Sequence, residues 1–199
     1  GATIPYSQEE REPSSIAPEA FHSLAMRRRS VRFYDGRPVP RSILDRAIET
    51  SSLSPSACNR QPFEFKIFDG HESAEKISSL AGGTAGFSHQ IPCLIVIVGR
   101  LRAFAYARDR HAIYVDGGLA AMSLMFAFET LGLASCPINW PDVRSRELKM
   151  ARALKLRADE RVVMLISVGY AQGDTKVASS KKLALDVLRT YESPESMAS

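Results

Sequence analysis

The sequence lacks the signatures of hydrolytic and metal-dependent chemistry. Its four histidines, at positions 22, 71, 89 and 111, form neither an HExxH pair nor another metal-ligand spacing. There is no G-x-S-x-G elbow and no P-loop. The glycine-rich stretch 82–86 lacks the G-x-G-x-x-G dinucleotide fingerprint. A hydrolase with its own nucleophile is therefore unsupported, and an organic cofactor would have to supply any chemistry.

The chain also has few cysteines and a small net charge. Cys58, Cys93 and Cys136 are an odd number of thiols without a CxxC pair, which favours a reduced, cytoplasmic protein. A net charge of +4 over 199 residues fits an anionic ligand but is too small to indicate nucleic acid.

The longest apolar run, 117–134, contains Glu129, which would be costly in lipid. We expect a central helix buried by its own domain or by a partner subunit, and no membrane span.

The order of predicted elements indicates an α+β fold. Residues 1–15 are polar and carry two prolines, so they predict a flexible N-terminal arm, and 16–199 form a single domain. Helices and strands are mixed without a regular βαβ rhythm, which favours a mixed central sheet flanked by helices. Strands are predicted at 63–68, 93–98, 134–138 and 161–168, and helices from 18, from 40 or 41, and at 73–80, 113–131, 143–154 and 183–191.

The run Arg-Arg-Arg-Ser-Val-Arg at 27–32 is the first candidate site. Arg28, Arg29 and Arg32 surround the Ser30 hydroxyl, and guanidinium groups bind phosphate in a bidentate manner. The run continues into apolar residues that would tie it to a core. A solvated basic helix end stays open as the alternative.

A second candidate is the loop Ser-Pro-Ser-Ala-Cys-Asn-Arg-Gln-Pro at 54–62. Two prolines stiffen the segment around the amides of Asn59 and Gln61, and an extended backbone would point both amides to one side. An amide can donate to one atom of a heterocycle and accept from the next. With the arginine run, the loop suits a ligand with a phosphate at one end and a planar heterocycle at the other, which is the shape of flavin mononucleotide (FMN). An ordinary surface turn is the alternative.

These motifs, in this order, resemble the nitroreductase family of FMN-dependent oxidoreductases, in particular its short single-domain bacterial members. The resemblance covers nearly all of the chain beyond the arm. It rests on Arg-Arg-Ser-Val-Arg-Phe at 28–33, Pro-Ser-Ala-Cys-Asn-Arg-Gln-Pro-Phe at 55–63, Ile-Pro at 91–92, Asp-Gly-Gly-Leu-Ala at 116–120, Leu-Gly-Leu-Ala-Ser at 131–135 and Val-Gly-Tyr at 168–170.

The resemblance implies an intertwined homodimer with FMN at the subunit interface and the apolar central helix at the dimer seam. It implies that the phosphate and ribityl chain contact Arg28, Arg29, Ser30, Arg32 and either Lys181 or Lys182. It further implies that the ring is lined by Pro55, Ser56, Ala57, Asn59 and Gln61 of the other subunit, and by Pro137, Ile138, Asn139 and Trp140, with backbone facing the flavin N5.

The chain departs from the family pattern in three places. Lys181 and Lys182 stand where an arginine is common, which is a mild change for phosphate binding. Asn139-Trp140 stands where many relatives carry Glu-Gly, so the residue beside N5 is bulky. The region before the central helix is short, and its side chains Phe104, Tyr106, Arg108 and Arg110 are expected to cap a substrate pocket.

The implied activity is ping-pong transfer of hydride from NADH or NADPH, through flavin N5, to an oxidised acceptor such as a nitroaromatic or a quinone. The flavin carries that chemistry, so no catalytic side chain and no metal is expected. Two alternatives stay open. One is a flavin enzyme of the same fold with a specialised reaction, such as dehydrogenation, dehalogenation or flavin fragmentation. The other is a non-enzymatic module whose basic cluster binds nucleic acid or an acidic partner.

Overall fold

The computed structural model describes residues 5–192 and has three layers, with a four-stranded sheet between two layers of helices. The strands are β1 (Phe63–Phe68), β2 (Cys93–Arg100), β3 (Ala134–Asn139) and β4 (Glu160–Gly169). The helices are α1 (Pro18–Arg27), α2 (Arg41–Ser52), α3 (His71–Ser78), α4 (Ala112–Thr130), α5 (Arg144–Leu154) and α6 (Leu185–Leu188). The predicted α+β class is confirmed.

The sheet order is β1-β2-β4-β3, and each neighbouring pair is antiparallel. All four strands are thus antiparallel, and the parallel pairing is an isolated bridge between Ser30 and Ser135, outside the strands and beside β3. Pro137 lies within β3, where its missing N–H is tolerated because β3 is an edge strand. The edges are therefore β1 on one side and, on the other, β3 with the segment that follows α1.

The central strand β2 is buried on both faces because its side chains alternate between two cores. Leu94, Val96 and Val98 pack toward α3 and α5, whereas Ile95 and Ile97 pack toward α2 and α4. The prediction of a buried strand from the continuous apolar run at 93–98 is therefore confirmed. Gly99, in the same strand, permits close approach of α4, because a Cβ there would lie 2.7 Å from the Cβ of Ile113.

Helix α4 is apolar along its whole length, but only part of its surface is covered within one chain. The helical stretch Ala107–Thr130 is long and apolar enough to cross a membrane, yet half of its apolar window is buried inside the domain. A strip of large side chains stays exposed, made up of Tyr114, Val115, Leu119 and Met122. The expectation that its own domain buries this helix all round is wrong, and burial by a partner subunit stays a prediction.

Of two further expectations, the last helix is wrong in its extent and the boundary of the N-terminal arm stays a prediction. The predicted last helix, 183–191, is wrong in extent, since α6 is one turn long and its apolar side chains are exposed. Nothing within residues 5–192 covers them, so packing does not extend the helix there. The arm prediction concerns residues 1–15, of which 1–4 lie outside the described part. Residues 5–15 are exposed and contain one capped turn at Gln8–Glu10, and the predicted boundary stays a prediction.

Candidate functional site

The arginine run lies along the outer edge of β3. The N–H of Val31 donates to the carbonyl of Ser135 at 3.0 Å. Two residues beyond Arg32, the buried hydroxyl of Tyr34 donates to the carbonyl of Val31 at 2.9 Å and lies 2.7 Å from the Ser167 hydroxyl of β4. This burial raises the pKa of Tyr34 far above its ordinary value. The segment is therefore fixed to the sheet and is not a free basic tail.

The segment 28–32 runs beside Cys136, since Ser30 bridges to Ser135, and three of its residues affect the pKa of that thiol. Burial raises the pKa of Cys136, while the charges of Arg32 and Arg28 and a hydrogen bond from Ser30 oppose that rise. Arg29 instead donates to the carbonyl of Arg28 at 2.8 Å. The structure thus brings together Arg28, Ser30 and Arg32 around the start of β3.

The cluster contains a half-buried cation with one buried, unused donor atom. Nη1 of Arg28 is inaccessible to solvent and has no hydrogen-bond partner among the described residues. The neighbouring Ser135 hydroxyl is likewise buried without a partner. Buried polar groups are normally satisfied, so unused donors beside further cations fit a ligand that brings an anionic acceptor, such as a phosphate.

Residues at the end of β3 differ in burial. Ile138 and Trp140 are buried, Pro137 is partly buried and Asn139 is exposed. The Trp140 indole N–H donates to the Glu147 carboxylate of α5. The side chain of Trp140 is thus a buried core residue tied to α5. Only the backbone of Trp140 is therefore left for the role predicted beside a flavin edge.

The predicted ring loop is folded differently from the expectation. An extended backbone at Asn59 and Gln61 is wrong, because Cys58, Asn59 and Gln61 all have positive φ, between 46° and 53°. The two amides nevertheless meet, since Gln61 Nε2 donates to Asn59 Oδ1 at 3.3 Å. The N–H of Gln61 donates to the Ser56 hydroxyl at 3.0 Å, which closes the turn.

The loop is fastened to α4 by Asp116, which the sequence indicated only as the first residue of the motif at 116–120. Both carboxylate oxygens of the buried Asp116 accept from the N–H of Ala57, at 3.1 and 3.2 Å. The Ser54 hydroxyl also donates to the Ser123 hydroxyl at 2.8 Å. An acid in the first half of a largely apolar helix was the available signal. Pro55 is exposed at the start of this loop.

The predicted pocket segment lies beside this loop. Arg60 donates to the carbonyl of Ala103 at 2.9 Å, and its guanidinium lies 5.8 Å from the centre of the Phe104 ring. Tyr106, Arg108 and Arg110 follow on the surface. Lys181 and Lys182 are exposed, and no hydrogen bond or ion pair within residues 5–192 joins them to the arginine run. The roles predicted for all of these residues stay predictions.

The two halves of the predicted site occupy opposite corners of the sheet. The arginine run adjoins β3 at Ser135, which opposes Val168 and, through it, Cys93. The loop leads into β1 at Phe63, which opposes Gly99 at the other end of β2. Strand spacing and rise per residue put Ser135 and Phe63 roughly 25 Å apart. The two halves are therefore anchored far apart within one chain.

Comparison with known proteins decides the family. The family model described as the nitroreductase family matches residues 25–85 and 71–170.

This chain belongs to the nitroreductase family.

Among the relatives of this nitroreductase-family chain, iodotyrosine deiodinase of Danio rerio is 23% identical over 217 residues, covering 92% of this chain and 71% of that protein. FMN reductase [NAD(P)H] of Bacillus subtilis is 30% identical over 142 residues, covering 64% and 56% respectively. An FMN-dependent nitroreductase structure from Clostridium difficile superimposes with a TM-score of 0.73 at 23% identity, covering 85% of this chain and 98% of the other. The fold and the oxidoreductase class are thereby supported.

Proposed function

We propose that two copies of this chain form a cytoplasmic, FMN-dependent oxidoreductase that moves hydride from NADH or NADPH to an oxidised small molecule, such as a nitroaromatic or a quinone. The observation that carries the proposal is the buried, unpartnered Nη1 of Arg28 beside Ser30 and Arg32 in a chain of this family. The free thiols of Cys58, Cys93 and Cys136 fit a reducing compartment.

Bound FMN would supply a ring that accepts hydride at N5 and releases it to the second substrate. The chain's own part is to bind and orient. Arg28 and Arg32 offer charge-assisted hydrogen bonds to a phosphate, and Ser30 offers a hydroxyl. The exposed backbone at Asn139 can donate toward the ring edge, and amide donors at such a position stabilise negative charge that develops during reduction.

A second copy would supply the remaining half of the site. Asn59 and Gln61 carry amides that can donate and accept at a heterocycle edge, and both are exposed in the single chain. Asp116 holds their loop at its base through Ala57. The exposed strip of α4 offers apolar area for the dimer contact, since removing such area from water drives association.

The test is the visible absorption spectrum of the purified protein, recorded anaerobically before and after NADH or NADPH is added. We expect a yellow protein whose flavin band bleaches. A yellow protein that neither nucleotide bleaches would indicate a specialist with another electron donor. A colourless protein that cannot be reconstituted with FMN would contradict the proposal, and salt-sensitive binding to polyanions would then favour the basic-module alternative.

Reductive dehalogenation by the same dimer is the second candidate. It is favoured by the similarity to iodotyrosine deiodinase over 92% of this chain. The two candidates separate when the protein is reduced anaerobically and mixed with either a nitroaromatic or iodotyrosine. Rapid flavin reoxidation by the nitroaromatic alone supports the general reductase. Reoxidation by iodotyrosine with release of iodide supports the dehalogenase.

A further inference from the structure

Three arginines carry positive charge that the proposed function leaves unassigned, one in the ring loop and two in the segment 101–110 that this loop contacts. We call Arg60, Arg108 and Arg110 the distal arginines. Arg60 belongs to the loop that carries Asn59 and Gln61, and its bond to the Ala103 carbonyl joins that loop to the segment 101–110. The distal arginines therefore lie on the loop side of the site, away from the run at 28–32.

The distal arginines differ from Arg100 and Arg102, which lie between Arg60 and Arg108 in the sequence. Arg100 donates to the Glu64 carboxylate at 2.8 Å, and Arg102 donates to Asp159 and Glu160 at 2.7 and 3.0 Å. Both of those cations are neutralised by acids of the same chain.

By contrast, no acid of the described chain lies within hydrogen-bond distance of the distal arginines. The nearest approach is 3.9 Å, between Arg108 Nε and Asp109 Oδ2. Arg110 donates only to the carbonyl of Ala107, at 3.3 Å. Three cations with one loosely associated carboxylate leave positive charge available to a ligand.

Two of the distal arginines stand over aromatic rings. The guanidinium of Arg108 lies 4.7 Å from the centre of the Tyr106 ring, and that of Arg60 lies 5.8 Å from the centre of the Phe104 ring. Tyr106 is 63% exposed, so its ring is open to solvent. Stacking holds the flat guanidinium groups in place and leaves their edges free to donate. Rings and cations together can bind a flat group that carries an anion.

We propose that the distal arginines bind the anionic group of a planar ring carried by the flavin's reaction partner. Two sources share this chemistry: an aromatic acceptor with a carboxylate, and the adenine end of NADPH with its 2′-phosphate. The inference rests on the proposed function, because the flavin ring must lie beside the Asn59–Gln61 loop for these arginines to reach its partner. It adds a charge preference that the proposed function does not specify.

The test uses the FMN-loaded dimer and matched pairs of ligands. The acceptor pair is 4-nitrobenzoate and 4-nitrobenzamide, and the donor pair is NADPH and NADH. For each pair the ratio of kcat/KM values is measured in the wild type and in the double variant Arg108→Gln, Arg110→Gln. In the wild type we expect the kcat/KM ratio of one pair to favour its anionic member. In the variant this ratio should fall about tenfold, which is the effect of losing one charge-assisted contact.

A binding measurement without turnover accompanies the kinetics. Benzoate and benzamide are titrated calorimetrically into the oxidised dimer. If the acceptor carries the anion, benzoate binds more tightly, and raising the salt concentration reduces the preference because exposed charges are screened. Arg46→Gln, an exposed arginine of α2, is the matched control and keeps the wild-type ratios.

The outcomes separate this inference from the proposed function. A fall confined to the nitrobenzoate ratio identifies the acceptor as the anionic partner, and a fall confined to the NADPH ratio identifies the donor. If both ratios stay within twofold of wild type in flavin-loaded protein, the inference is overturned while the oxidoreductase proposal stands. A chain that binds no flavin overturns the proposed function itself.

Discussion

At the scale of single residues, the half-buried Arg28 has one donor atom that is buried and unused. Burying a guanidinium costs free energy unless hydrogen bonds compensate, and Nη1 has none from the described chain. The arrangement fits a side chain whose compensation comes from a bound phosphate.

Replacing Arg28 by Ala is expected to remove FMN without unfolding the protein. The phosphate loses a charge-assisted contact, whereas the apoprotein loses a cation that had an unsatisfied donor. Flavin absorbance per polypeptide after gel filtration measures the first effect, and urea denaturation of the flavin-free protein measures the second. Arg46→Ala on the exposed surface of α2 is the control. Full flavin occupancy in Arg28→Ala would count against the phosphate assignment.

Tyr34 positions the arginine run and should be costly to change. In Tyr34→Phe, the Val31 carbonyl and the Ser167 hydroxyl both lose a buried partner. We expect a loss of about 1–3 kcal/mol in the free energy of unfolding. Chemical denaturation provides the measurement, and Tyr6→Phe, at a tyrosine that is 69% exposed, is the control. Equal stability of the two variants would mean that the hydroxyl does not hold the segment.

At the scale of elements, an ion-pair network crosses from β1 to β2. Glu64 accepts from Arg100 at 2.8 Å and from Lys66 at 3.2 Å. The hydrogen bond from Arg100, followed by that from Lys66, holds the pKa of Glu64 below its ordinary value of 4.5 against the opposing effect of partial burial. The network thus stabilises the ionised form of Glu64 in the folded state.

This depressed pKa predicts a pH dependence of stability. Its contribution is present above the unfolded-state value near 4.5 and is lost as the pH falls through the lower folded-state value. We therefore expect the melting temperature of wild type to exceed that of Glu64→Gln at pH 7, with the gap closing as the pH is lowered below 4.5. A gap that is constant across this range would exclude the ionised pair as its cause.

At the scale of the whole molecule, the separation of the two half-sites favours a dimer. The arginine run and the ring loop lie at diagonal corners of the sheet. The strip of Tyr114, Val115, Leu119 and Met122 on α4 is exposed in one chain. A second copy that covers this strip could also bring its loop to the first copy's arginine run.

Leu119→Glu tests that assembly. The side chain is 44% exposed in the single chain, so the charge should leave the fold of each chain intact while opposing the burial of the strip. We expect folded monomers that have lost FMN, measured by light scattering after gel filtration together with flavin absorbance. Ala153→Glu, at an exposed position of α5, introduces the same charge elsewhere and should stay dimeric. Dimers of Leu119→Glu with full flavin would contradict this seam.

Local pattern predicted the regular elements well and the ring loop poorly. The alternating run at Phe63–Phe68 and the continuous apolar run from Cys93 are strands, as periodicity indicates. Positive φ at Asn59 and Gln61 could not be foreseen, because non-glycine residues adopt it only where the surroundings impose it. Here those surroundings include Asp116, 59 residues away from Ala57 along the chain.

The sequence by itself determined the α+β class, the family resemblance and the residue types of both half-sites, because periodicity and motif order are properties of neighbours along the chain. Only the tertiary structure decided that Trp140 turns into the core, that Arg28 keeps a buried unused donor, and that the half-sites lie at opposite corners of the sheet. Those facts depend on strand order and on contacts between residues that are distant in sequence, which no local pattern encodes.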